Sequence, residues 1–326
     1  MLSEVQIQQT FAGKNILFGV LNWGLGHATR MVPLINQAIK SGNSVVICSN
    51  GIALSWLKHY YPHLVFIDLN TAEIRYGTNK LQTFFKLFSL YFGYSKLVNS
   101  ERKYVCEFIK KYNIDLIISD NRPGVYSAEV YSIYITHQLY VKAPFGLSNL
   151  ASKIHASFYK PFNTIWVPDF ESNIKSLAGE LSRNYFNDNR VMYIGPLSRF
   201  SKFTLSDSST KSYDLAILSG PEPQRSILEA NITKDYSCNN KNLKLVRGVL
   251  SAENVKSKSS NIELLNSVTD SQLLNLISRA NKIICRSGYS TIMDLYVLNK
   301  IKSAEFFPTP GQTEQEYLAK YMAKRI

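Results

Sequence analysis

The run Ile16-Leu17-Phe18-Gly19-Val20-Leu21-Asn22-Trp23-Gly24-Leu25-Gly26-His27 reads as a buried strand entering a glycine-rich turn. Met31, Leu34, Ile35, Ala38 and Ile39 then carry the spacing of a helix. A strand–turn–helix unit of this kind commits the chain to an α/β sheet, in which ligands gather beyond the carboxyl ends of the strands. The same order returns at Ile217-Leu218-Ser219-Gly220-Pro221-Glu222-Pro223-Gln224-Arg225, after a polar, Ser- and Lys-rich stretch at 197–212. Two α/β domains in tandem follow.

Strands are expected at 15–20, 44–49, 64–68, 114–119, 131–136, 164–167 and 191–194, then at 213–218, 243–246, 262–264 and 282–285, with helices at 271–279 and 290–298. A further strand at 301–307 places Lys302 and Glu305 awkwardly for a strand buried on both faces. The expected division is an N-terminal domain at 1–198, a linker at 199–212, a second domain at 213–311, and a C-terminal helix at 312–326 packing back toward the first domain. At 326 residues, 45% hydrophobic and 19% charged, the chain has the size and composition for two such globular domains.

A net charge of +13 implies an anionic partner. The basic residues are scattered and no nucleic-acid recognition motif is present, which argues against nucleic acid. Cys48, Cys106, Cys238 and Cys285 lie too far apart for a zinc site or a dense disulfide framework and read as reduced thiols. No apolar run approaches the roughly 20 residues that span a bilayer, and the N-terminus lacks a signal-peptide layout, so a cytoplasmic protein is expected.

In the first turn, Gly24 and Gly26 are expected to adopt positive φ and admit a ligand to the backbone. Thr29 stands where a dinucleotide fingerprint needs its third glycine, which demotes NAD binding. His27 is a candidate general base, because a neutral imidazole can take a proton from a hydroxyl at neutral pH; the bland reading is a His that only hydrogen-bonds within the turn. Asp120, in Ile118-Ser119-Asp120-Asn121-Arg122-Pro123, falls at a strand end and either orients that imidazole or caps the next helix. His137 ends the following strand as a weaker candidate for acceptor contact.

In the second half, the helix start after Gly220 can hold a phosphate with Arg225 adding a bidentate charge, although two prolines fit a purely structural turn as well. Cys285-Arg286-Ser287-Gly288-Tyr289-Ser290-Thr291-Ile292-Met293-Asp294 is more specific. Ser287, Thr291 and Asp294 form one polar stripe at helical spacing, giving a phosphate cradle with a carboxylate placed for a ribose diol; alternatively Ser287 is an N-cap and Asp294 a solvated position. Pro308-Thr309-Pro310-Gly311-Gln312-Thr313-Glu314-Gln315-Glu316-Tyr317 then offers amides and carboxylates suited to sugar hydroxyls.

Together these segments resemble the GT-B glycosyltransferases, particularly those of family 28 typified by the peptidoglycan lipid I N-acetylglucosaminyltransferase, and more distantly the UDP-glycosyltransferases. The resemblance rests on Ser287-Gly288 followed by Asp294, on Pro308 to Tyr317, on Ser219-Gly220 and on Gly26-His27. It is closer still to a bacterial branch carrying Asn-Trp-Gly-Leu-Gly-His-Ala-Thr-Arg and Pro-Thr-Pro-Gly-Gln-Thr-Glu-Gln-Glu-Tyr. Two departures stand out: Pro33 comes six residues after His27 rather than three, and Glu316 occupies the position of a second Gln.

The resemblance implies a GT-B fold of two Rossmann-like domains whose parallel sheets face a central cleft. It also implies inverting, metal-independent sugar transfer from a nucleotide-diphosphate donor, UDP foremost, to a hydroxyl acceptor, with His27 as base and Asp120 orienting it. Gly220, Arg225, Arg286, Ser287, Gly288, Thr291, Asp294, Gln312, Gln315 and Glu316 would contact the donor, and Gly24, Gly26 and His137 would border the acceptor. No separate cofactor is implied, since the nucleotide-sugar is a substrate.

The aromatic stretch at 83–94, flanked by Lys80 and Lys96, reads either as core or as a surface resting on an anionic bilayer on the inner face of the membrane, where a lipid-linked acceptor would be met. The rival functions are a nucleotide-sugar 2-epimerase of the same fold and a catalytically silent nucleotide-sugar-binding protein. Domain closure about the linker on donor binding is a further expectation.

Overall fold

The computed structural model describes residues 2–69, 97–205, 212–220, 222–249, 257 and 259–325. The aromatic stretch at 83–94 lies outside them, as does the middle of the polar stretch at 206–211. The chain divides into two compact units between Arg199 and Phe200. Phe200 lies in the core of the second unit beside Tyr213 and Leu215. The C-terminal helix, expected to reach back toward the first domain, groups with the second unit.

The first unit is a parallel sheet of β1 (Asn15–Val20), β2 (Ser44–Ser49), β3 (Val65–Asp68), β4 (Leu116–Asp120), β5 (Tyr131–Ile135), β6 (Thr164–Val167) and β7 (Val191–Tyr193). They are ordered β3-β2-β1-β4-β5-β6-β7. The chain winds outward from β1 to β3 and then returns to β4 on the other side of β1, so a topological switch point opens between β1 and β4. The helices are α1 (Glu4–Phe11), α2 (Leu25–Lys40), α3 (Gly51–Tyr60), α4 (97–112) and α5 (Ser148–Tyr159).

Helix α1 was not anticipated, although Ser3 and Gln6 form a capping box at its start. Its Phe11 packs between Phe18 of β1 and Trp166 of β6 and is fully buried. Truncating such a ring to Ala costs on the order of 3–5 kcal/mol. Another sheet surface, formed by Leu17, Val46, Ile67 and Ile117, is covered by Val105 and Ile109 of α4. Pro33 sits inside α2 without ending it.

The second unit repeats the plan with β8 (Tyr213–Ile217), β9 (Leu243–Val246), β10 (Ile262–Leu265), β11 (Ala280–Arg286) and β12 (Ala304–Phe307), ordered β10-β9-β8-β11-β12 and all parallel. Here the switch point lies between β8 and β11. Helices α6 (Gln224–Ser237), α7 (Asp270–Arg279), α8 (Tyr289–Val297) and α9 (Thr313–Ala323) connect and flank the strands. The strand expected at 301–307 begins only at Ala304, after a short helical turn at Ile301–Ser303. Being an edge strand, β12 tolerates Glu305, which pairs with Lys282 of β11. No helix among the described residues is long and apolar enough to cross a membrane.

Candidate active site

Both groups of residues singled out in the sequence fall at the two switch points. In the first unit, Gly24 is the N-cap of α2 at φ +75°, a conformation that demands glycine. Gly26 departs from expectation: it does not share the positive φ but lies within the first turn of the helix. The turn is braced from outside by Asn22, whose Oδ1 accepts from the Ala53 N–H at the start of α3 at 3.2 Å.

His27 follows in the same helical turn and points Nδ1 at Asp120 Oδ2, 2.9 Å away at the carboxyl end of β4. No helix follows Asp120 directly, so the alternative of a helix-capping aspartate does not apply. Burial would raise the Asp120 pKa, but the Arg30 guanidinium and the His27 imidazole together hold it below the usual carboxylate range. An ionised carboxylate only accepts, so Nδ1–H of His27 is the donor and the Nε2 lone pair is left as the basic site. Burial and the neighbouring Arg30 charge lower the His27 pKa, against the opposing pull of Asp120. The side chain keeps 14% of its surface exposed, enough for a substrate hydroxyl to approach.

Arg30 is the residue that sequence reading passed over. Its Nε lies 3.1 Å from both Asp120 oxygens, a terminal nitrogen makes a further close contact, and the side chain is only 2% exposed. Its spacing from His27 on α2 puts both on one helical face, a signal readable in the sequence once Asp120 is placed opposite. His137 is 4% exposed and its Nδ1 sits 3.3 Å from Arg30 Nη1. Because guanidinium has no lone pair to offer, His137 Nδ1 accepts. The structure therefore places His137 behind Arg30 instead of on an open acceptor surface.

At the second switch point, Gly220 closes the β8 turn at φ +99° and is exposed. The expected phosphate contact of Arg225 is not what the geometry offers: Arg225 pairs with Glu222 and, at 3.4 Å, with Glu229, and donates to the Arg247 carbonyl. Glu222 also accepts from the Ser226 N–H, so a carboxylate already occupies the start of α6. This end of the site is committed to internal pairing.

The β11–α8 turn is different. Gly288 is the N-cap of α8 and has no side chain to cap it, so the positive end of that helix dipole lies at the carboxyl end of β11, where an anion is favoured. Ser287 is buried and donates to the Gln315 carbonyl at 2.8 Å, which rules out the reading of Ser287 as an N-cap. Thr291 and Asp294 are half-buried while Ile292, Met293 and Leu295 are in the core, so these two polar residues face outward, whereas Ser287, expected on the same stripe, precedes the helix and is fully buried. Asp294 stands about 9 Å along the helix axis from Gly288.

Arg286 ties these loops together. It donates to the Pro308 carbonyl at 2.9 Å and to the Gln224 carbonyl at 2.5 Å, while its buried Nε has no partner. Among the described residues no carboxylate pairs with it, and burial lowers its pKa. A buried cation bound only to carbonyl dipoles leaves an uncompensated positive charge beside the α8 N-terminus. In the 308–316 loop, Gln315 accepts from Thr309 N–H and bonds Gln312, and Glu316 accepts from Gly311 N–H at 3.3 Å. These amides thus order the loop in addition to lining it.

Residues 14–139, which hold His27, Arg30, Asp120 and His137, match the family described as glycosyl transferase family 1. No curated protein matches the chain. Among solved structures, the glycotransferase of kitacinnamycin is 14% identical with a TM-score of 0.58, covering 96% of this chain and 84% of that one. Arabidopsis thaliana UGT89C1 complexed with UDP-L-rhamnose is 13% identical with a TM-score of 0.52, covering 96% and 90%. Acinetobacter baumannii MurG is 15% identical with a TM-score of 0.51, covering 95% and 83%. The chain therefore has the two-unit GT-B fold of these glycosyltransferases, and its first unit matches a glycosyltransferase family. The likeness to MurG is one of fold, as the resemblance carried by the motifs implies.

Proposed function

We propose that the protein transfers a sugar from a nucleotide-diphosphate donor of the UDP class to a hydroxyl acceptor, with inversion and without a metal. The observation that carries the reading is the His27–Asp120 contact of 2.9 Å at the β1/β4 switch point. His27 Nε2 takes the acceptor proton, the acceptor oxygen forms a bond to the anomeric carbon, and the bond to the diphosphate oxygen breaks with the electron pair leaving on the nucleotide. Asp120 stabilises the imidazolium that results. Ser287, Gly288 and the α8 N-terminus supply the diphosphate cradle, Arg286 adds positive field, and Asp294 accepts from the ribose diol. A neighbouring structure that holds UDP-L-rhamnose supports the choice of nucleotide.

The test is UDP release from a panel of UDP-sugars against a panel of hydroxyl acceptors, with and without EDTA. Acceptor-dependent UDP release that survives EDTA and is lost in His27→Asn is the expected result. Free sugar released without acceptor would point to the 2-epimerase, and nucleotide binding with no turnover for any acceptor would point to a silent binding protein.

Attachment to an anionic membrane surface is a second part of this reading, supported by one stretch of the first unit. Between Glu129 and Asp169 the chain has no acidic residue and carries Lys142, Lys153 and Lys160. Phe145, Leu147 and Leu150 are exposed in its midst. Apolar side chains within a basic surface suit a bilayer of anionic lipid. Co-sedimentation with phosphatidylglycerol vesicles, lost in 0.5 M salt (about 4 Å of Debye screening) and in Leu150→Ser, is expected; equal partition onto phosphatidylcholine alone would count against it.

A further inference from the structure

A pocket of about 390 Å³ opens in the first unit, lined by Tyr140, Asn149, Lys153, Glu180, Tyr185 and Phe186. It is built from three separate stretches: the loop after β5, the first turns of α5, and the segment after β6. Tyr140 follows His137 by three residues, so its Cα lies within about 11 Å of that of His137, which touches Arg30 behind the His27–Asp120 pair.

The walls are preformed. Asp169, fully buried, accepts from the N–H groups of Leu177 and Ala178 and from the hydroxyls of Ser176 and Ser182, which fixes the loop that presents Glu180. Tyr140 N–H donates to the Leu181 carbonyl at 2.9 Å, and Lys142 pairs with Glu180 while standing 5.1 Å over the Tyr140 ring. Asn184 bonds both the N–H and the carbonyl of Asp188, holding the turn that follows Tyr185 and Phe186. The Tyr140 and Tyr185 rings meet at 4.9 Å.

The chemistry of the lining selects among ligands. Tyr185 and Phe186 are each nearly half exposed and offer ring surface to an apolar face. Asn149 and Lys153, one helical turn apart on α5 and exposed, offer donors and an amide acceptor, and Glu180 offers a carboxylate. A wholly apolar ligand would desolvate Lys153 and Glu180 without replacing their hydrogen bonds. A pyranose ring satisfies both demands, with C–H faces for the aromatic rings and hydroxyl edges that both donate and accept.

We propose that this pocket is an acceptor subsite that holds a sugar ring of a saccharide acceptor, remote from the hydroxyl that His27 activates. The proposal rests on the reading of the protein as a transferase with its acceptor on the first unit. It gives the acceptor class as a glycan or glycoconjugate, not a single-ring aglycone.

The experiment is saturation-transfer NMR of the full chain with methyl glycosides and disaccharides of glucose, N-acetylglucosamine, galactose and mannose, with UDP titrated separately. At least one disaccharide is expected to bind, and its affinity to fall tenfold or more in Tyr185→Ala and in Asn149→Ala, while UDP affinity stays unchanged in both. Both positions are exposed enough for the variants to fold, which an unchanged far-UV circular dichroism spectrum and urea midpoint check. Absence of saccharide binding alongside normal UDP binding overturns the subsite, as does saccharide binding that neither substitution weakens. Saccharide binding without UDP binding upholds the subsite and overturns the donor reading instead.

Discussion

Arg30 Nε stands 3.1 Å from both carboxylate oxygens of Asp120, the same carboxylate that receives Nδ1–H of His27. His27 and the cation that steadies Asp120 are carried one turn apart on α2, so neither can shift without the other. This arrangement keeps Asp120 ionised in a fully buried position and at the same time discourages protonation of His27.

Removing that cation should therefore be felt twice. Arg30→Met leaves Asp120 as a buried, uncompensated charge, and global stability should drop by about 3–5 kcal/mol in urea unfolding. Without the Arg30 charge the His27 pKa should rise, so the acid limb of kcat/KM should move to higher pH. An unmoved pH profile in a folded Arg30→Met protein would show that Arg30 does not tune the base.

His27→Asn preserves hydrogen-bonding shape but cannot take a proton, and should lower turnover by roughly 10²–10⁴-fold. Calorimetric titration with UDP should be unaffected. In the wild type, the midpoint of the acid limb of kcat/KM should lie below pH 6.5, because the His27 pKa lies below its ordinary value. Asp120→Asn should reduce turnover less than His27→Asn if Asp120 only orients the ring. Wild-type turnover in His27→Asn would transfer the base role to a carboxylate.

Asp294→Ala should weaken UDP binding, since the ribose diol loses its acceptor, while leaving the fold intact because Asp294 is only half-buried. The Arg225→Ala substitution should have little effect on UDP affinity by comparison, because its charge is already met by Glu222 and Glu229. Equal losses in the two variants would mean that the diphosphate lies at α6, not at α8.

Stability should fall on acidification through one further group. Burial lowers the His155 pKa from 6.5 to about 4, where the ring sits against Tyr134 and Tyr159. Between those values the unfolded chain binds a proton that the folded chain refuses, so stability is full above pH 6.5 and is lost as the pH falls toward 4. The loss for this group is about 3 kcal/mol at pH 4, and His27 acts in the same direction. Urea unfolding of His155→Leu at pH 7 and at about pH 4.5 should show a smaller acid loss than the wild type.

The sequence by itself determined what is local and periodic. The alternation of apolar runs with helical spacing sets two α/β units, the positive φ at Gly24 follows from the turn it must make, and the shared outward face of Thr291 and Asp294 follows from helical geometry. Charge patterning warned that 301–307 was a poor buried strand, and β12 proved to be a shortened edge strand. The capping box of α1 was equally local and equally legible, though it was passed over.

Only the tertiary structure decided which side chains meet. Arg30, Asp120 and His137 come from α2, β4 and the loop after β5, and they converge because β4 returns to pair with β1 at the switch point. For the same reason Arg225 is spent on Glu222 and Glu229, Arg286 clamps two loop carbonyls, and Tyr140, Asn149 and Tyr185 line one pocket. Propensity and periodicity act over one or two turns of chain, whereas burial and charge pairing depend on distance in space, which strand order alone supplies.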